Sequence, residues 1–202
     1  MTFRNVMLLS FLCIAFKLYP EQIIFIRHSE KDSDPVHLSS KGYLRAGSLP
    51  AYIERMIHRG IMYEPDHLVA MKQKSPKHSN RPFETVVPLS QKFDLAIQNE
   101  FEATEIDRVV ASINNPIHVG KTVLVCWAHE ELSQIAKALN MPVNKWRKND
   151  YKTVWILTNN GKSARFQSYE MLDIDNVFHD IEHIKDGGIY DALQNREFEI
   201  NV

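Results

Sequence analysis

Apolar runs and helical stripes alternate along this chain. Gln22-Ile23-Ile24-Phe25-Ile26 and Val123-Leu124-Val125-Cys126-Trp127 are rich in β-branched and aromatic residues and hold no Gly or Pro. Such continuous runs predict buried strands, and a shorter one runs from His67 to Met71. Leu44, Ile53 and Ile57 predict one face of a helix over 41–59, kinked or split at Pro50 and ended by Gly60. Further helices are predicted over 81–93 (disturbed by Pro88), 105–113 and 130–139. Two more strand patterns, 151–158 and 164–170, predict a hairpin closed through Asn159-Asn160-Gly161. Beyond Met171 the periodicity fades, and Asp186-Gly187-Gly188 marks a turn in a polar tail. Neither an internal repeat nor a low-complexity linker interrupts the alternation, which predicts an α/β fold.

With 202 residues and 44% hydrophobic content, the chain can bury one sizeable core. The expected division is an apolar N-terminal segment or signal peptide over 1–20, one domain over 21–172 and a tail over 173–202. Arg4 precedes an apolar run from Val6 to Phe16, too short to span a bilayer. A basic start, a short apolar stretch and the small Ala15 match a secretory signal, so an exported, periplasmic or secreted, protein is expected. The alternative is a cytoplasmic protein with that segment docked on the domain. A net charge of −1 and a pI near 6.8 leave no electrostatic footprint for nucleic acid. Lys72, Lys74, Lys77 and His78, just before Arg81, either steer anions or line a solvated loop. The two cysteines, Cys13 and Cys126, are too few for a disulfide framework, and Cys126 is expected to pack as a small hydrophobe. His129-Glu130-Glu131 lacks the second histidine of a zinc helix, and no glycine run forms a P-loop; neither metal nor cofactor is expected.

The candidate chemistry lies where the strand patterns end. The first runs into Arg27-His28-Ser29-Glu30, and in open α/β sheets ligands bind at strand ends. A guanidinium beside an imidazole suggests an anion that is held and attacked, although a histidine in this place can also be a hydrogen-bonded surface residue. Arg81, within Ser79-Asn80-Arg81-Pro82, is placed at a helix start, where free N–H groups and the macrodipole favour an anion. Its alternative is a surface pair with Glu84. The later strand ends at Ala128-His129-Glu130.

Together these motifs resemble the histidine phosphatase superfamily, the phosphoglycerate-mutase-like proteins. The family's R-H-G-E block is similar to Arg27-His28-Ser29-Glu30, and its L-[ST]-x-x-G segment to Leu38-Ser39-Ser40-Lys41-Gly42. Its second arginine resembles Arg81, with Thr85 following, and its late histidine resembles His129. Asp150-Tyr151-Lys152-Thr153-Val154-Trp155 extends the likeness to a little-characterised bacterial and fungal subgroup, and the whole covers about Ile23 to Glu170. Ser29 departs from the family glycine, so the backbone there must tolerate a side chain or use it.

The resemblance implies a single-domain, three-layer α/β/α fold around a mostly parallel sheet. It also implies a phosphatase that hydrolyses a small phosphomonoester without a metal. His28 would be the nucleophile, Arg27 and Arg81 would clamp the phosphoryl oxygens, and protonated His129 would add charge to the transition state. Expected ligands are a small phosphorylated substrate or inorganic phosphate, with no nucleic acid and no stable membrane span. The proton donor is expected to be Glu130, with Glu102, Glu105 and Asp107 as the other candidates. The alternative function is a catalytically weak protein that binds phosphorylated ligands in the same pocket. A phosphomutase is less favoured, because the short chain shows no large lid to keep water out.

Overall fold

The computed structural model describes residues 19–159 and 163–171. The N-terminal apolar run with Cys13, the Asn160-Gly161 turn and the tail from Leu172 lie outside the described residues. Among the described residues six strands form one sheet in the order β3-β2-β4-β1-β5-β6. They are β1 (Gln22–Arg27), β2 (His67–Ala70), β3 (Ile97–Gln98), β4 (Thr122–Trp127), β5 (Thr153–Asn159) and β6 (Ala164–Glu170). The first four strands run parallel to one another, whereas β5 pairs antiparallel with both β1 and β6. The helices are α1 (Ser40–His58), α2 (Arg81–Phe93), α3 (Ile106–Ile113) and α4 (His129–Ala138). A 3₁₀ turn, Pro116–His118, leads into β4.

Alternation along the strands builds two cores. Ile24, Ile26, Leu124 and Cys126 face α1 and α2, where they meet Leu49, Ile53, Val86 and Leu89. Ile23, Phe25, Val123 and Val125 face the other way, toward Val109 and Ile113 of α3 and Leu132 and Ile135 of α4. The result is the mixed α/β domain, helices on both faces of a mostly parallel sheet, that the motifs implied. β1 and β4 are buried at every position because both faces are covered, which is why they read as unbroken apolar runs. Cys126 is a buried free thiol whose pKa burial raises. Among the described residues no helix is long and apolar enough to cross a membrane.

The helices differ from expectation in detail. Helix α1 runs unbroken through Pro50. A proline removes one backbone hydrogen bond, but the buried stripe Ala46, Leu49, Ile53 and Met56 packs on both sides of it. Leu44, expected on that stripe, is half-buried, and Arg45 is buried in its stead. Gly60, with φ of +67°, follows the last turn as expected. Strand β3 has only two residues and the 3₁₀ turn three, too few for any period to register.

Candidate active site

Strands β1 and β4 are parallel and in register at Arg27 and Trp127, so their carboxyl ends deliver the next residues to one place. The His28 amide donates to the Trp127 carbonyl at 3.1 Å, and one residue beyond Ala128 stands His129. Ala128 caps α4, so His129 is the first residue of that helix rather than the last of the strand. From the other side, α2 contributes Arg81 at its first position, with Pro82 beside it where a missing N–H costs nothing. Asn80 caps this helix without a side-chain hydrogen bond. Ser29 donates its amide to Thr85 Oγ1 at 2.9 Å, and Thr85 donates to the Arg81 carbonyl at 2.8 Å. That chain of bonds ties the His28 segment to the start of α2.

His28 is 4% exposed, and its Nδ1 lies 2.7 Å from the Ser29 carbonyl oxygen. Burial, followed by the nearby cations Arg27 and Arg81, pushes its pKa down to about 3. The imidazole is therefore neutral near pH 7. A carbonyl only accepts, so the proton sits on Nδ1 and the Nε2 lone pair is free.

Both guanidiniums are held from behind. Arg27 Nη1 donates to the carbonyls of Lys148 and Asp150, and Arg81 Nη1 donates to those of Asp34 (3.2 Å) and Pro35 (2.9 Å). Each leaves its buried Nε without a partner. A buried charged donor without a partner is a group that a bound oxyanion would satisfy. Burial lowers both arginines from their ordinary values, yet guanidinium keeps its charge at neutral pH. Glu84 is not partnered with Arg81; its carboxylate accepts from the Leu38 amide at 3.0 Å and meets His37 Nδ1 at 2.5 Å. The surface pair considered from sequence does not form.

His129 is half-buried. Burial first, then the charge of Arg27, holds its pKa below the ordinary value, with Glu130 acting the other way. A phosphate dianion among these cations would likewise favour its charged form. Glu130 stands at the edge, its side chain 63% exposed and Oε1 3.8 Å from His129 Nε2. The other acids lie along a different wall. Glu102 is 3.7 Å from Lys74 and borders a cavity of about 310 Å³ with Lys72, His78 and Ser79. Glu105 accepts from Arg108 and from the Glu102 amide, and Asp107 sits in the first turn of α3.

Three features had no role assigned from sequence. Arg45 grips the Glu30 carboxylate from inside α1, with Nε and Nη2 at 2.5 to 3.0 Å. Tyr151 lies under Arg27, whose Cζ is 3.9 Å from the ring centroid. Its place in the Asp150–Trp155 segment, which carries part of the resemblance, is the one signal in the sequence, and the strand expected from 151 starts only at Thr153. A cavity of about 490 Å³ opens beside Tyr151, lined by Lys41, Arg147 and Lys152 among others. The Ser29 hydroxyl is buried and unpartnered, so the departure from glycine is tolerated without a hydrogen bond.

Neither a family model nor a curated protein matches the sequence. Solved structures do match. The protein histidine phosphatase SixA complexed with tungstate is 15% identical, covering 74% of this chain and 96% of its own, with a TM-score of 0.54. Two proteins provisionally named phosphohistidine phosphatase SixA, from Nakamurella multipartitia and Agrobacterium tumefaciens, are 12% and 13% identical. They match over 76% and 77% of this chain and 97% and 99% of theirs, with TM-scores of 0.49 and 0.48. The chain thus has the phosphoglycerate-mutase-like fold of the histidine phosphatase SixA, the fold that its motifs implied.

Proposed function

We propose that this protein is a phosphatase that hydrolyses a phosphomonoester through a phosphohistidine at His28. The observation that carries the reading is a neutral imidazole, tethered through Nδ1, beside two buried guanidiniums with unpartnered Nε groups. In the first step His28 Nε2 attacks phosphorus while Arg27 and Arg81 hold the non-bridging oxygens. The bond to the leaving oxygen breaks, and Glu130 supplies the proton that this oxygen needs. Water then attacks the phosphohistidine, gives its proton to Glu130 and releases orthophosphate, returning His28 to its neutral form. His129, protonated once the anion is bound, adds charge where it accumulates. The charge is offset by side chains alone, so no step calls on a metal. The tungstate in SixA, a tetrahedral oxyanion, supports an oxyanion ligand here as well.

An exported location is a separate part of the proposal and rests on the apolar run from Val6 to Phe16. Turnover of p-nitrophenyl phosphate by the purified protein tests the phosphatase reading, with His28→Ala as the inactive control. Orthophosphate binding without turnover would instead make it a phospho-ligand-binding protein.

A further inference from the structure

Tyr151 lies against Arg27 and near His28, inside the candidate site. Its backbone is fixed on both sides. The Asp150 carboxylate accepts from the amides of Lys152 (3.0 Å) and Thr153 (2.9 Å) and from Thr153 Oγ1 (2.6 Å). The Asp150 carbonyl accepts from Arg27 Nη1 at 3.2 Å and from Trp146 Nε1 at 2.9 Å. From this anchor the Tyr151 ring reaches 3.9 Å from Arg27 Cζ, and its centroid lies 6.0 Å from that of His28. The ring covers one face of the Arg27 guanidinium, so the cation is held by stacking as well as by carbonyls.

Stacking alone would need only a phenyl ring. The hydroxyl has more to do, because the ring that carries it lies 3.9 Å from Arg27 Cζ and 6.0 Å from the His28 ring, at the place where the anion would sit. An O–H group beside a guanidinium can accept from it and direct its own proton at the anion that the guanidinium holds.

We propose that Tyr151 is a third phosphoryl-binding residue, its ring orienting Arg27 and its hydroxyl donating a hydrogen bond to a non-bridging oxygen between Arg27 and Arg81. This rests on the phosphatase reading and extends it. No proton is transferred: the phenol stays intact, and its bond to oxygen shortens as charge gathers there in the transition state. Tyr151 also lines the 490 Å³ cavity while its ring lies 6.0 Å from that of His28, so the body of the substrate would pass along its edge.

Tyr151→Phe tests this, since it keeps the stacked ring and removes only the hydroxyl. The variant should lose about ten- to a hundredfold in kcat/KM on p-nitrophenyl phosphate. It should also bind orthophosphate several-fold more weakly by calorimetry. Tyr151→Ala, which frees Arg27 as well, should lose more in both. A Tyr151→Phe protein that matches wild type within twofold in turnover and in orthophosphate affinity overturns the proposal. If the wild-type protein binds orthophosphate but turns nothing over, the phosphatase reading fails, and the calorimetric comparison still decides the role of Tyr151.

Discussion

Gly42 packs its Cα against the backbone of Glu30 so closely that a Cβ there would lie 2.2 Å from the Glu30 carbonyl oxygen. That same oxygen accepts from the Ser39 amide at 3.0 Å, and the Ser39 hydroxyl accepts from the Gly42 amide at 3.1 Å. Three residues further along α1, Arg45 holds the Glu30 carboxylate. The start of α1 is thus clamped to the segment that carries His28, and the glycine of the L-[ST]-x-x-G motif is a requirement of close approach. The obstacle is backbone, which cannot swing aside. Gly42→Ala should cost about 1–3 kcal/mol or more in a denaturant titration and should lower turnover as the His28 segment shifts. An alanine variant as stable and active as wild type would mean that this contact is looser than the structure has it.

Arg81 loses more by becoming lysine than its charge suggests. An ammonium cannot reproduce the Nη1 tether to Asp34 and Pro35 and at the same time present a second donor from Nε. Steady-state kinetics of Arg81→Lys should show kcat/KM reduced by about ten- to a thousandfold. Unchanged kinetics would place Arg81 outside the phosphoryl site.

The proton donor is tested through the leaving group. An alkoxide needs a proton and a nitrophenolate hardly does. Glu130→Gln should therefore slow hydrolysis of alkyl phosphates sharply and spare p-nitrophenyl phosphate. Glu102→Gln, Glu105→Gln and Asp107→Asn are the comparisons. If one of these three shows the leaving-group-dependent loss and Glu130→Gln does not, the acid comes from the wall beyond Arg81.

Acid should weaken the fold through His28. Its folded pKa, about 3, lies below the ordinary 6.5, so the unfolded chain binds the proton that the folded chain refuses. Stability then rises with pH across that window and is lost as pH falls below 6.5. Between pH 7 and pH 5 this one group accounts for about 2 kcal/mol. His67 and His129, also lowered by burial, add to the same trend. Denaturant titrations should show His28→Gln with a flatter dependence over that range; an unaltered slope would mean that His28 is protonated in the folded protein.

Much of this site was legible because its parts sit where patterns break. The runs ending at Arg27 and Trp127 are buried on both faces, so their ends stand out, and Arg81 is marked by the Asn-Arg-Pro start of a helix. Tyr151 was not legible in that way. The sequence places it at the head of a strand pattern, whereas β5 starts at Thr153, and its meeting with Arg27 is a tertiary event across 124 positions of sequence. The Glu30–Arg45 pair was hidden for the opposite reason: Arg45 occupies an ordinary helical position, and only the fold turns it inward. Helix α1 survives Pro50 because packing outweighs one missing hydrogen bond, a balance that local propensity does not contain.

The covalent step itself admits one direct measurement. Rapid quenching of the protein during turnover of a phosphorus-labelled aryl phosphate, followed by peptide mapping, should recover acid-labile phosphate on the peptide containing His28, and none from His28→Ala. Steady turnover with no label on His28, or label retained by His28→Ala, would contradict a phosphohistidine at this residue.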